Sequence, residues 1–335
     1  MQYLMQSSFA QYAKVVPEDN CLFITDENVG KLYADLMGDA KVIVIPAGET
    51  HKNLQTVAHI VNELLRSGAQ RNTCVIGLGG GVVTDIAGFA ASMYMRGVKF
   101  GFVPTSLLAM VDAAIGGKNG VDVGLYKNIA GSFSQPEFIL YDTSFLKTLP
   151  DAEWRNGFAE IIKYACLFDR EMFDELREHN IDHYRENEGA LQSLIERCVA
   201  WKNKVVLADE REQHERKLLN LGHTLGHAIE NLYQLPHGYA VAIGMVAACV
   251  VSEEAGTAKR GTTNEVRALL LQYGLPVAHP FEVDAVMSVL VKDKKRKGDN
   301  IDYIMLEEIG KGTIMPLSIE QLTQTINRMQ DAIDR

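Results

Sequence analysis

The chain has 335 residues, 47% hydrophobic and 23% charged, the balance of a soluble globular protein with material for a sizeable core. A formal net charge of -10 argues against a general nucleic-acid binder, which needs surplus Lys and Arg to neutralise phosphates, but leaves room for a local basic pocket. Five widely spaced cysteines with no CxxC read as buried free thiols in a reducing compartment, the cytoplasm.

The start, "MQYLMQSSFAQYAKV", lacks a basic stretch followed by an apolar one, so no signal peptide is expected. "NCLFITDENV" reads as strand then turn and "KVIVIPAGE" as strand then loop. "LQTVAHIVNELLRSGA" carries apolar residues at helical spacing. "TCVIGLGGG" is a strand running into a glycine turn, "VVTDIAGFAASMYMRG" a helix, and "VKFGFVPTSLL" another strand. This alternation predicts a parallel sheet with helices on both faces.

After "LKTLPDAEW" the segments become long, charged and helical, with few β-rich runs. The expected division is an α/β domain over residues 1–150 and a mainly helical domain over 151–335, with a ligand cleft between them. The most apolar segment, "AVAIGMVAACVVSEEAG", meets acids after about a dozen residues, short of the ~20 needed to cross a bilayer.

"GLGGGVVTD" places glycines where a strand meets a helix, where backbone approaches a phosphate closely and the helix N-terminus favours negative charge. Val82 stands where the third Gly of G-x-G-x-x-G would fall, so a plain glycine turn stays open. Polar residues with Gly or Pro neighbours follow each predicted strand: Glu49 and Lys52, Asp85, Thr105 and Ser106, Asp112 and Lys118, Lys127 and Asn128. Singly each reads as a solvated loop residue, or in the case of Asp85 as a residue of a helix turn or one fixing a ligand amide; together they fit ligand binding at the carboxyl ends of strands.

His223 and His227, at i and i+4, would share a helix face, which suits two metal ligands and leaves His237 as a loop residue. Helix histidines without ligands fit the spacing equally. HExxH is absent, which argues against a zincin protease. Glu160 lies in an apolar helical run with Lys163 one turn on, either as a salt bridge or as two residues facing a site. Lys202, Arg216, Lys217 and Lys294 are cations that could bind an anionic substrate, although helix-surface charges are the commoner explanation for such residues.

Ten stretches in series resemble the 3-dehydroquinate synthase family: "GETHK", "GGGVVTD", "MRGVKF", "VPTSLLAMVDAAIGGK", "YKNIAG", "LKTLP", "GFAEIIKY", "LADERE", "LNLGHTLGHAIE" and "HGYAVAIGM". The resemblance implies a Rossmann-like N-terminal domain, a mainly α-helical C-terminal domain and a homodimer. It also implies NAD+ and one divalent metal, Zn2+ or Co2+. The implied ligands are Glu160, His223 and His237, with His227 contacting substrate. NAD+ would be held by Glu49, Lys52, Gly80, Gly81, Val82, Asp85, Thr105, Ser106, Lys118, Lys127 and the segment Phe145, Leu146, Lys147, Thr148. Asp112, Lys118, Asn128, Lys163, Lys202, Arg216, Asn220, His227 and Lys294 would surround the substrate. Arg96 resembles the Arg that reaches the neighbouring subunit's phosphate pocket.

The implied activity is that of a phosphate-eliminating lyase of the shikimate pathway. It converts 3-deoxy-D-arabino-heptulosonate 7-phosphate to 3-dehydroquinate and phosphate by transient oxidation, elimination, reduction, ring opening and aldol closure. Three positions depart from the expected pattern: Tyr239 for Glu, Ser106 for Thr and Asp122 for Asn. The nearest alternatives are 2-deoxy-scyllo-inosose and 2-epi-5-epi-valiolone synthases, whose substrates lack the carboxylate that the Arg216, Asn220 and His227 group suits. Glycerol or iron-dependent alcohol dehydrogenases share a GGGxxxD turn but not the "YKN" and "GFAEIIKY" series. A non-catalytic binding protein fits poorly, because the ligand and cation positions are filled.

Overall fold

The computed structural model describes residues 1–17, 20–124, 126–290, 296–297 and 300–333. The chain divides into two compact units, Met1–Glu153 with Glu188–Asn203, and Trp154–Asn187 with Lys204–Arg335.

In the first unit the strands are β1 (Gln2–Leu4), β2 (Cys21–Asp26), β3 (Lys41–Ile45), β4 (Cys74–Gly79), β5 (Phe100–Pro104), β6 (Lys118–Val123), β7 (Tyr126–Phe133) and β8 (Phe138–Leu140). Six of them form a parallel sheet in the order β1-β8-β5-β4-β2-β3. Its helices are α1 (Glu27–Met37), α2 (Leu54–Arg66) and α3 (Gly81–Met93). Asp26 ends β2 and starts α1, its carboxylate accepting from Asn28 N and Val29 N. Side chains alternate across the sheet. Phe23, Ile76, Leu78 and Phe138 pack on one face with Phe9, Tyr12 and Met37. Gly77 and Gly79 turn the other way, towards Ala87 and Val83 of α3. A Cβ on Gly79 would come within 2.6 Å of the Val83 side chain, so only glycine lets α3 start that close to β4.

The β6–β7 pair is an antiparallel hairpin with an irregularity between Val121 and Val123. The sequence suggested loops here; Lys118 instead lies on β6, and Lys127 and Asn128 on β7. Glycines in both arms, Gly120 and Gly131, face each other across the ladder and disguise the strand pattern.

The remaining helices are α4 (Asp151–Phe168), α5 (Arg170–Glu178), α6 (Ile181–Glu186), α7 (Glu188–Ala208), α8 (His223–Tyr233), α9 (His237–Glu254), α10 (Thr262–Gln272), α11 (Val283–Leu290) and α12 (Ile319–Ile333). Most of α7 belongs to the first unit. Tyr3 donates to Asn203 Oδ1 at 3.0 Å, Gln6 to Glu196 Oε1 at 2.8 Å and Lys202 to the Asp112 carbonyl at 2.7 Å.

The second unit is mainly helical, with α8 and α9 packed backbone to backbone. A Cβ on Gly244 of α9 would collide with the Gly222 carbonyl that precedes α8. The unit also holds an antiparallel sheet ordered β11-β10-β9, from β9 (Arg296–Lys297), β10 (Asn300–Glu308) and β11 (Lys311–Ser318). Little in the residue pattern signals it. Tyr303, Ile304, Met305 and Leu306 are all buried, so β10 lacks the alternation of a half-exposed strand. All five cysteines are buried and none is in a disulfide. Among the described residues no helix is long and apolar enough to cross a membrane.

Candidate active site

The sequence-predicted residues gather into groups within each unit. In the first, the sheet order reverses at β2, whose partners are β3 on one side and β4 on the other. The carboxyl ends of such strands form a ligand-binding crevice. Beside this point β4 ends in Gly79, Gly80 caps α3 and Gly81 begins it. No side chain caps the α3 N-terminus and its first turn holds no acid, which leaves its amides available to an anion. The surrounding space is small. A Cβ on Gly80 would lie 3.3 Å from Ser106 Oγ, and one on Gly81 3.1 Å from Ala113 Cβ. Thr105 N donates to the Gly79 carbonyl at 2.9 Å, which ties the turns after β4 and β5 together. Val82 follows, half-buried, in the same helical turn. This cradle fits a dinucleotide pyrophosphate.

Next to it Lys52 pairs with Asp85 at 2.6 Å, the Lys side chain 7% exposed. Burial opposes the Lys52 charge, but Asp85, Glu49 and Asp122 outweigh it and hold the ammonium protonated, its pKa raised. Lys127 pairs with Glu49 at 2.8 Å and reaches Asp122 at 3.5 Å. Asp122 N donates to the Lys52 carbonyl, and Asp122 Oδ1 accepts from Asn128 N at 2.7 Å. Asn128 is thereby held at φ 49°, a left-handed backbone that Asn tolerates. Lys202 donates to Asp112 through Oδ1 at 2.9 Å as well as through its carbonyl. Asp112 sits in a π-helical turn, Ala109–Ala113, a local widening frequent at functional sites.

The other first-unit residues are dispersed. Lys118 is exposed at the start of β6. In the 143–148 turn, Phe145 and Leu146 are core residues at 1% and 2% exposure, whereas Lys147 and Thr148 are exposed. Arg96 is exposed at φ 67°, between Met95 at φ 49° and Gly97 at φ 112°.

In the second unit, α4, α8 and α9 bring Glu160, His223 and His237 together. Their ligand atoms lie within 4.8 Å of one another. Glu160 is fully buried, and Oε1 stands 3.5 Å from Nε2 of both His223 and His237. Oε2 contacts the Lys163 ammonium. Among the described residues neither Glu160 oxygen accepts a hydrogen bond of ordinary geometry. A buried carboxylate in that condition is costly unless a cation completes its surroundings. His223 Nδ1 is 3.1 Å from the Leu221 carbonyl, and His237 Nδ1 is 3.1 Å from Glu230 Oε2. Burial lowers the His237 pKa, but Glu160 and Glu230 outweigh it and raise it to about 10. The pocket therefore favours positive charge, and one carboxylate with two imidazoles is a catalytic zinc or cobalt donor set.

His227 stands beside this group, its ring 5.0 Å from that of His223 and 5.9 Å from that of His237. It belongs instead to a second set, His227, Glu230 and His237, also within 4.8 Å. Neither set contains both His223 and His227, the pair that the i, i+4 spacing suggested.

Arg216 and Asn220 occupy the turn before α8. Arg216 is 2% exposed and donates to the Glu210 carbonyl, and Asn220 donates to Glu212 Oε1. Lys217 is engaged with Asp302 at 2.9 Å. Lys294 lies outside the described residues. Tyr239 is half-buried in the first turn of α9, its amide donating to the Pro236 carbonyl.

Three residues that the sequence reading passed over build this site. Asp209 accepts from Gln213 N, His214 N and Arg216 N, which folds the turn carrying Arg216. Burial works against its charge, but those three amides prevail and hold its pKa below the usual carboxylate range. Asn156, one turn before Glu160, accepts from Gly238 N beside His237. Glu230 is the third. Asp209 and Glu230 fall inside the stretches "LADERE" and "LNLGHTLGHAIE" and Asn156 just before "GFAEIIKY", so the signal for each was its place in or beside a family motif.

The model of the 3-dehydroquinate synthase N-terminal domain matches residues 42–156, and that of the C-terminal domain matches residues 157–296. The chain belongs to the 3-dehydroquinate synthase family. A family member from Lactiplantibacillus plantarum is 40% identical over 310 residues, covering 89% of this chain and 86% of that one. The solved 2-epi-5-epi-valiolone synthase of Streptomyces hygroscopicus, with NAD+ and Zn2+ bound, has a TM-score of 0.90 at 27% identity, covering 99% of this chain and 97% of its own. A 2-deoxy-scyllo-inosose synthase with carbaglucose-6-phosphate, NAD+ and Co2+ gives 0.86 at 25% identity, covering 98% and 96%.

Proposed function

We propose that the protein converts 3-deoxy-D-arabino-heptulosonate 7-phosphate to 3-dehydroquinate and phosphate, in the cytoplasm and within the shikimate pathway. The observation that carries this reading is Glu160 Oε1 lodged between two imidazole Nε2 atoms in a chain of this family. Identity of 40% to the Lactiplantibacillus synthase, against 27% and 25% to the two other cyclases, favours the carboxylated substrate.

Residues 1–150 are assigned to NAD+ binding and residues 151–335 to metal and substrate. Glu160, His223 and His237 would hold one Zn2+ or Co2+, which supplies Lewis-acid activation of a substrate hydroxyl. The Gly80–Val82 turn, with Thr105 and Ser106, would hold the NAD+ pyrophosphate, and Glu49, Lys52, Asp85, Lys118, Lys127 and the 145–148 segment its remainder. NAD+ supplies a reversible hydride acceptor, regenerated in each turnover.

The protein's own groups then orient and move charge. Arg216 and Asn220 bind the substrate carboxylate by directed hydrogen bonds. Lys118, Asn128 and Lys163 hold the phosphate in the geometry for its departure, and the phosphate itself takes the proton lost with it. Lys202 fixes Asp112, and Asp112 and His227 handle hydroxyl protons. Arg96 reaches the phosphate of a neighbouring subunit, which makes a homodimer the working assembly. Its exposure on a left-handed turn flanked by Met93 and Met95, 51% and 39% exposed, supports this placement.

The test is phosphate release from this substrate by purified protein with NAD+ and Zn2+ or Co2+, with absorbance of NADH followed. Chelator-sensitive release, 3-dehydroquinate as product and no NADH accumulation are expected. Turnover of glucose 6-phosphate or sedoheptulose 7-phosphate instead would move the protein to a sister cyclase. Net NADH formation from an alcohol would make it a dehydrogenase.

A further inference from the structure

His237 belongs to two overlapping donor sets, one with Glu160 and His223, the other with His227 and Glu230. As a metal ligand His237 must be neutral, with one bare nitrogen and one N–H, so which set it serves depends on which nitrogen keeps the proton. His223 has no such choice. Its Nδ1 lies 3.1 Å from the Leu221 carbonyl, which can only accept, so Nδ1 carries the proton and Nε2 presents its lone pair towards Glu160. The main chain fixes that ring.

The corresponding main-chain hold is replaced by a side chain at His237. Its ring stands at the first position of α9, and its side chain is 27% exposed against 11% for His223. Its Nδ1 meets Glu230 Oε2 at 3.1 Å, and its Nε2 lies 3.5 Å from Glu160 Oε1. Glu230 is itself buried on α8, at 8% exposure. An ionised carboxylate accepts and does not donate, so it imposes on His237 the tautomer that Leu221 imposes on His223. It also makes Nε2 a better donor to a cation.

We propose that Glu230 is a positioning residue that keeps the His237 proton on Nδ1 and turns Nε2 to Glu160. A divalent cation is thereby directed to the Glu160, His223, His237 set and away from the set that contains Glu230 itself. The inference rests on the metal reading above. It goes beyond that reading by giving a fourth residue control over metal affinity without ligation.

The experiment uses the full chain stripped of metal, with Zn2+ affinity measured by competition with a chromophoric chelator and the site environment by Co2+ visible absorption. Glu230→Ala is expected to weaken Zn2+ binding 10- to 100-fold, approximately the range for losing such a partner, and to alter the Co2+ band. Glu230→Gln keeps an acceptor for Nδ1–H and should recover most of the affinity and the wild-type band shape. Thermal unfolding of the metal-free forms identifies a variant that fails to fold. In that event Glu230→Asp, one methylene shorter, takes the place of the alanine variant and should also bind Zn2+ more weakly. Unchanged affinity and spectrum in a folded Ala or Asp variant would overturn the role of Glu230 and leave the metal reading intact. A wild-type chain that takes up no Zn2+, or binds it as tightly after His223→Ala, would overturn the metal reading itself.

Discussion

Each candidate site holds a buried lysine against a carboxylate, Lys52 with Asp85 in the first unit and Lys163 with Glu160 in the second, and these two pairs have opposite surroundings. Lys52 and Asp85 meet at 2.6 Å, with Glu49 and Asp122 acting on the same ammonium and Lys127 bridging those two acids. Every charge there has a counter-charge supplied by the chain. Lys163 and Glu160 are in contact too, but Glu160 Oε1 faces the Nε2 atoms of His223 and His237. The same residue types therefore give a closed pair in one place and an open coordination position in the other. What separates them is whether the protein alone satisfies the buried carboxylate.

The largest effect separating the two should come from the open pair. His223→Ala is expected to abolish stoichiometric metal binding. With a Lewis-acid contribution of several kcal/mol lost, kcat should fall by roughly a thousandfold or more. Elemental analysis beside steady-state kinetics checks this, and near-normal rate with full metal content would contradict it. The closed pair should respond through stability instead. Lys52→Ala leaves Asp85 buried without its partner and should cost about 3 kcal/mol of stability as well as weakening NAD+ binding. Denaturant unfolding and an NAD+ titration read the two effects separately, with metal content unchanged.

Gly79→Ala sharpens the comparison at the cradle. The added methyl presses on Val83 and should cost about 1–3 kcal/mol while weakening NAD+ more than metal. The smallest effect is at Asp209. Because its folded pKa is depressed, its contribution to stability is present above the ordinary carboxylate range and is lost as pH falls through the lower folded value. Asp209→Asn should flatten that acid limb of a stability–pH profile and leave the neutral plateau's metal affinity unaltered. An identical acid limb in the variant would remove Asp209 from the account.

The strands β2 to β5 were legible because each is an apolar run closed by a turn, and the glycine turn was legible because glycine marks close approach. The β10–β11 pair was not, since burial along β10 erases its period. Nor was the β6–β7 hairpin, whose glycines read as loop and so left Lys118 and Asn128 off any strand. The histidines show the limit most clearly. Spacing speaks only of neighbours on one helix and pairs His223 with His227. The packing of α4, α8 and α9, set by contacts such as Gly244 on Gly222, brings His223 to Glu160 and His237. The family resemblance named that trio; local periodicity does not contain it.

The most direct measurement is anomalous diffraction at the zinc edge from crystals of the protein soaked in Zn2+. One peak per chain is expected, about 2.0–2.2 Å from a Glu160 oxygen and from Nε2 of His223 and His237. A peak between His227, Glu230 and His237, or none at full Zn2+ loading, would contradict it.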